Sequence, residues 1–157
     1  MKKLPEEVKN FFQNQGFVIV NTIDPQGYPH SSCKGIVKIS KNGKLYLLDL
    51  YRGKTFENLK NNPQVSITAV NEHKFHGFCL KGKAAMLAEG KFNTSLSMAW
   101  EERIASRITQ RLLKNVRGEE GVKHHPEALL PQPEYLIAVE VEEIIDLTPQ
   151  HLKKIEV

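Results

Sequence analysis

Arg52-Gly53-Lys54-Thr55 stands at the head of a short helical pattern, and its last three residues are the tail of a phosphate-binding P-loop. The full motif needs a glycine five positions before Gly53, where this chain has Leu48, and a turn of small residues where it has Asp49-Leu50-Tyr51-Arg52. Nucleoside triphosphate chemistry is therefore excluded for this stretch. Two uses of the residues remain. A lysine, a hydroxyl and the unbonded N–H groups of a helix's first turn meet the needs of a phosphate dianion, with Arg52 adding a charge-assisted contact. Alternatively, Thr55 caps the helix and Arg52 and Lys54 are simply solvated.

The other chemistry-bearing residues form no catalytic set. His30, Ser31 and Ser32 are neighbours in an extended run, where successive side chains take opposite faces, so they cannot assemble a nucleophile and base. His73, His76 and Cys79 pass from a hairpin loop into a strand, without a carboxylate to complete a metal set. His124-His125, before Pro126, reads as a solvated loop, the alternative being a loop that reaches over a ligand as a proton donor. Arg103, Arg107 and Arg111 recur every four residues and read as a solvated helix face partly neutralised by Glu101 and Glu102. The rival use of that stripe is to receive the phosphates of a nicotinamide cofactor or a nucleic acid. Trp100 reads as a core or subunit-contact anchor. Cys33 and Cys79 have no CxxC or zinc spacing and read as reduced thiols.

The elements that must position these residues alternate between extended and helical periods. Leu4, Val8, Phe11 and Phe12 have helical spacing, with Pro5 suited to a first turn and Gly16 to a stop. Phe17 to Ile23, Tyr28 to Ser40 and the segment KLYLLDL read as three strands of a meander, joined by DPQG and by the Asn-Gly turn of KNGK. KTFENLKNNP is a short helix that stops before Pro63; QVSITAV and FHGFCLKGKAAML are further strands, with Gly77 and Gly82 as bulge or close-approach positions. A long helix capped by Thr94 or Ser95 follows, then a charged and Pro-rich connection, a last strand YLIAVEVEEIIDL and a brief helical end started by Thr148-Pro149. Five to seven antiparallel strands with interspersed helices imply a closed or nearly closed barrel, because closure hides sheet edges.

Length and composition set the frame for this order. The 157 residues, 40% hydrophobic and 25% charged, fit one soluble globular domain spanning residues 1–157. No apolar run approaches the roughly 18 residues of a membrane span, and the N-terminus turns acidic and amphipathic where a signal peptide would turn apolar, so a cytoplasmic protein is expected. A net charge of +4 suits an anionic ligand or a mildly basic solvated surface and does not require nucleic acid.

In this order and at these separations, GYPHSSCKGIVKI, LLDLYRGKTFENLKNNPQVSI and FHGFCLKGKAAM resemble the FMN-binding split β-barrel family related to pyridoxamine 5′-phosphate oxidase, most closely its small FMN-binding members. The resemblance implies a mainly β fold with flanking helices, a split antiparallel barrel. It also implies an FMN phosphate held by Lys54 and Thr55, with Arg52 beside them. It lays the isoalloxazine ring along Ser32, Cys33, Lys34 and Leu48, Asp49, Leu50, read there by backbone groups. Cys33 departs from the amide or hydroxyl expected at its position, so a side-chain bond from it to the ring is not expected. Lys34 either stabilises the reduced ring near N1 and O2 or points away, since one register step reverses its face. Lys81 is the expected polar contributor of the segment Phe78 to Lys83, beside the flavin or at a dimer seam.

The same resemblance implies a homodimer with FMN at the interface and an oxidoreductase passing hydride or electrons to a small acceptor, with NADH or NADPH as candidate donors. The end IIDLTPQHLKKIEV lacks the Arg-containing tail of the pyridoxamine phosphate oxidases, which argues against vitamin B6 oxidation. The alternatives are a non-catalytic flavin carrier, or the same barrel holding haem or a deazaflavin.

Overall fold

The computed structural model describes residues 3–88, 94–116 and 135–153. Six antiparallel strands close into a barrel: β1 (Val18–Ile23), β2 (Pro29–Ile39), β3 (Leu45–Asp49), β4 (Gln64–Asn71), β5 (His76–Ala88) and β6 (Tyr135–Asp146). Around the barrel the order is β1-β2-β3-β6-β5-β4. The meander β1 to β3 is as the sequence predicts, and its turns show why. Gly27 and Gly43 take the left-handed backbone, at φ 87° and 90°, that favours glycine. Asp24 Oδ1 further fixes the first turn by accepting from Gln26 N and Tyr28 N.

Alternation along the strands fills the barrel. Val18, Val20, Leu45, Leu47, Val65, Ile67, Leu80, Ile137, Val139 and Val141 form one buried cluster. α1 (Glu6–Gln13) adds Val8 and Phe12 to it, with Leu4 just ahead of the helix. β2 breaks its alternation once, in a register irregularity between Ile36 and Lys38. As a result Val37 and Lys38 both serve the side covered by α3 (Thr94–Val116): Val37 clusters with Leu96 and Leu136, and Lys38 Nζ donates to Ser95 Oγ. Trp100 packs on the same cluster and is thus a core anchor of α3.

The register of β5 against β6 shifts between Lys81 and Gly82, where a Cβ would collide with the Glu140 carbonyl oxygen. At Gly77 a Cβ would lie 2.7 Å from Ala69 O. Both are the close approaches that the strand glycines predict.

Two expectations need correction. After Thr148-Pro149 the described chain makes a single turn, closed by Leu152 N to Pro149 O at 3.0 Å, and not a helix. Arg103 is not on a solvated face: half-buried, its Nη1 donates to Gln13 O at 3.1 Å and its Nη2 to Gln15 O, tying α3 to the chain leaving α1. Burial, and then the nearby Arg107, lower its pKa. The Arg111 side chain and His124-His125 lie outside the described residues.

Candidate cofactor site

α2 (Lys54–Asn61) is pinned to the barrel by two polar rungs. Thr55 is buried, its Oγ1 lying 3.0 Å from Ser32 Oγ on β2. One turn on, buried Asn58 donates from Nδ2 to Thr22 Oγ1 on β1 at 3.0 Å. Each pairing satisfies a polar group that burial would otherwise make costly. Thr55 therefore does not cap the helix; the cap position is Gly53, which offers no side chain. The N–H groups of Lys54, Thr55 and Phe56 precede the first i→i−4 bond and have no acceptor within the helix.

The cations at this helix head differ in their surroundings. The Lys54 side chain is exposed and makes no hydrogen bond or ion pair among the described residues. The Arg52 guanidinium lies 5.5 Å from the centroid of the Phe56 ring, and Lys60 Nζ lies 4.7 Å from it. Behind Phe56, at 5.0 Å between centroids, the ring of Tyr135 packs edge-on.

Beside α2, Lys34 and Asp49 turn inward and meet at 2.5 Å. The Asp49 carboxylate also accepts from the Tyr135 hydroxyl, which lies 3.5 Å from Tyr51 O. Cys33, between Ser32 and Lys34, is exposed on the opposite face. Leu48 faces the α3 side, against the Val37, Leu96 and Leu136 cluster, and Leu50 is half-buried just past β3.

Ser32, Lys34, Asp49, Arg52, Lys54 and Thr55 are thus gathered at one corner, where β2, β3 and α2 meet. Lys81 is not part of it within one chain. It sits on β5, separated from β2 by β1 and β4, and pairs with Glu143 at 3.3 Å. Phe56 and Tyr135 escape a sequence reading because each looks like an ordinary apolar position; the only signal is the acid Asp49 inside the otherwise apolar LLDL.

Chemically, the corner offers an exposed ammonium, a guanidinium and first-turn N–H groups, a donor set that fits a phosphate dianion. No group of three His, Cys, Asp or Glu suited to a metal ion occurs among the described residues, and none of their helices is long and apolar enough to cross a membrane.

A closed six-stranded antiparallel barrel with such a corner defines a split-barrel protein. Residues 4–146 match the pyridoxamine 5′-phosphate oxidase family, and the chain belongs to that family. Solved structures similar to it include a candidate pyridoxamine 5′-phosphate oxidase from Lactobacillus delbrueckii, at 19% identity over 91% of this chain and 93% of that one, with a TM-score of 0.59. An F420 reductase has 13% identity over 90% of this chain and 98% of its own, with a TM-score of 0.58. The heme storage protein HutZ from Vibrio cholerae has 20% identity over 92% and 94%, with a TM-score of 0.52. At these identities the structures establish the fold. A search of curated proteins finds no match.

Proposed function

We propose that the protein is a cytoplasmic, homodimeric flavoprotein that holds FMN non-covalently and acts as an oxidoreductase toward a small acceptor, with NADH or NADPH as candidate donors. The observation that carries this reading is Lys54, an exposed ammonium at the head of a helix whose first-turn N–H groups lack helical acceptors. Membership of the family supports FMN as the ligand for that donor set.

In this reading Lys54, Arg52 and the backbone at Thr55 bind the phosphate, while Ser32 and Asn58 hold α2 in place through Thr55 and Thr22. The backbone of Ser32 to Lys34 and Leu48 to Leu50 orients the ring. Lys34 stabilises negative charge on the reduced ring, an effect that Asp49 offsets in part. Lys81 acts at the subunit seam. The bound flavin supplies hydride and single-electron chemistry; the protein supplies placement and electrostatics.

The test is a visible spectrum of the purified protein, followed by chromatography of the released chromophore. Oxidised-flavin bands and released FMN are expected; a colourless protein that fails to take up added FMN would overturn the reading. A haem or deazaflavin ligand is the second reading, favoured by the fold shared with the heme storage protein and the F420 reductase. The same spectrum separates it, because a Soret band or a deazaflavin absorption replaces the flavin pair. Failure of NADH and NADPH to reduce the bound flavin in stopped-flow mixing would favour a non-catalytic electron carrier.

A further inference from the structure

A groove of about 670 Å³ runs between α3 and the end of β2 that leads to β3, and its lining shares no residue with the corner at α2. Val37 and Met98 give it apolar walls, while Lys38, Ser95, Glu102 and Arg103 give it charge and polarity. The irregularity of β2 between Ile36 and Lys38 turns Lys38 to this side together with its neighbour Val37. Bulges commonly re-aim a side chain in this way. The Lys38 ammonium donates to Ser95 Oγ and has two further N–H donors to offer.

Arg103 marks the other end of the groove. Its Nη1 and Nη2 are taken by the carbonyls of Gln13 and Gln15, but its Nε is buried and has no hydrogen-bond partner, alone in this respect among the buried side-chain atoms of the described residues. A buried donor left unpaired is costly and rare. Glu102, its neighbour in sequence, is exposed at the rim, where solvent screens its charge. Arg103 follows Ser95 by eight residues, so the two cationic ends stand about 12 Å apart along the helix axis, with Met98 between them.

We propose that this groove binds an elongated molecule with a carboxylate at each end and an apolar chain between, one carboxylate on Lys38 and the other on Arg103 Nε. One carboxylate cannot span the separation, and a compact dianion such as phosphate would leave one cation and the apolar walls unused. The chain gains by burial against Val37 and Met98, and charge-assisted bonds fix its two ends. The site is independent of what the α2 corner binds.

The experiment follows the methionine methyl signals of the full chain by NMR during titration with decanedioate, whose carboxylates, when extended, are set about as far apart as the two cations. Saturable movement of the Met98 signal is expected, with the Met86 signal, outside the groove, unmoved. Decanoate has one carboxylate on the same chain length, and hexanedioate has two that are too close together. Each should bind about tenfold to a hundredfold more weakly, the worth of one charge-assisted bond. Lys38→Gln should weaken decanedioate by a similar factor and bring it level with decanoate. Arg103→Lys, which keeps the charge and loses the Nε–H, should do the same; where it loosens α3, Lys38→Gln and the chain-length series carry the test. A Met98 signal that does not saturate, decanedioate no tighter than decanoate or hexanedioate, or full affinity in Lys38→Gln would each overturn the proposal. Movement of the Met98 signal on dilution of the protein alone would show a second copy in the groove and overturn it too.

Discussion

Lys34 on β2 and Asp49 at the end of β3 form an ion pair at 2.5 Å, with side-chain exposures of 12% and 3%. The register that aligns Gly35 with Leu48 puts both side chains on the barrel side of the sheet, and the Tyr135 hydroxyl completes the bonding of the carboxylate. A charge this buried is tolerable only when paired and hydrogen-bonded.

Removing one member should therefore cost more than the pair contributes. Lys34→Met leaves the Asp49 carboxylate with the tyrosine alone and is expected to destabilise the fold by about 3–5 kcal/mol. The double variant Lys34→Met, Asp49→Leu removes both charges and should recover much of the loss. Urea unfolding of the three proteins checks this; a single variant as stable as wild type would mean the pair is solvated.

The pair also marks where sequence reading stops. Strand and helix order followed from periodicity and turn chemistry: DPQG and KNGK dictate the meander, and Gly82 announces a close approach that the β5–β6 register shift supplies. The helix head Arg52 to Thr55 was legible because its donors are local in sequence. The inward turn of Lys34 was not, since period-two alternation leaves the face of a polar strand residue undecided until register is known. Nor was the fold-back of Arg103 onto Gln13 and Gln15, which joins residues about ninety positions apart, a separation over which no local pattern reaches. β6 enters the barrel between β3 and β5, and that placement is what brings Tyr135 to Asp49 and Phe56.

Gly82 gives a second stability test. A methyl group there would run into the Glu140 carbonyl oxygen at a backbone position that cannot swing aside. Gly82→Ala is expected to cost at least about 1–3 kcal/mol, the range for overpacking a well-fitted site, whereas Gly35→Ala, with nothing near its Cβ, should be nearly neutral by comparison. Thermal melts followed by circular dichroism compare the two; equal midpoints would contradict the close approach.

Asp146 gives the pH dependence. Burial pushes its carboxyl up, but bonds from Lys153 and from Thr148 outweigh that and hold it at about 2, below its ordinary 3.8. A carboxyl lowered by folding contributes stability that is present above its unfolded value and lost as pH falls through its folded one. The contribution should therefore fade between pH 3.8 and about 2, and it should be small because the side chain is 41% exposed and screened. Asp146→Asn should flatten the acid limb of stability against pH in that window, measured by unfolding at stepped pH. An identical acid limb in both proteins would show that the turn after β6 does not hold the carboxylate.

The outer face of the barrel bears on assembly. Register places Cys33, Ile19, Thr68 and Cys79 in one row across β2, β1, β4 and β5. Phe17, Ile19 and Val70 are 58%, 42% and 59% exposed near it. A parallel row, Ser31, Asn21 and Ser66, is closed by its own hydrogen bonds at 2.7 and 3.0 Å, which leaves little polar demand on that flank. Clustered apolar exposure of this kind favours contact with another surface, and a second copy meeting the same patch about a two-fold axis covers it on both chains at once. Wild type is thus expected to sediment at about twice 17.9 kDa at micromolar concentration. Ile19→Glu, which would bring two like charges together near such an axis, should give a single-chain mass with the fold intact by circular dichroism. Loss of FMN binding in the same variant would place the flavin at the seam. A wild-type monomer that still binds FMN would show that one chain is sufficient to make the site.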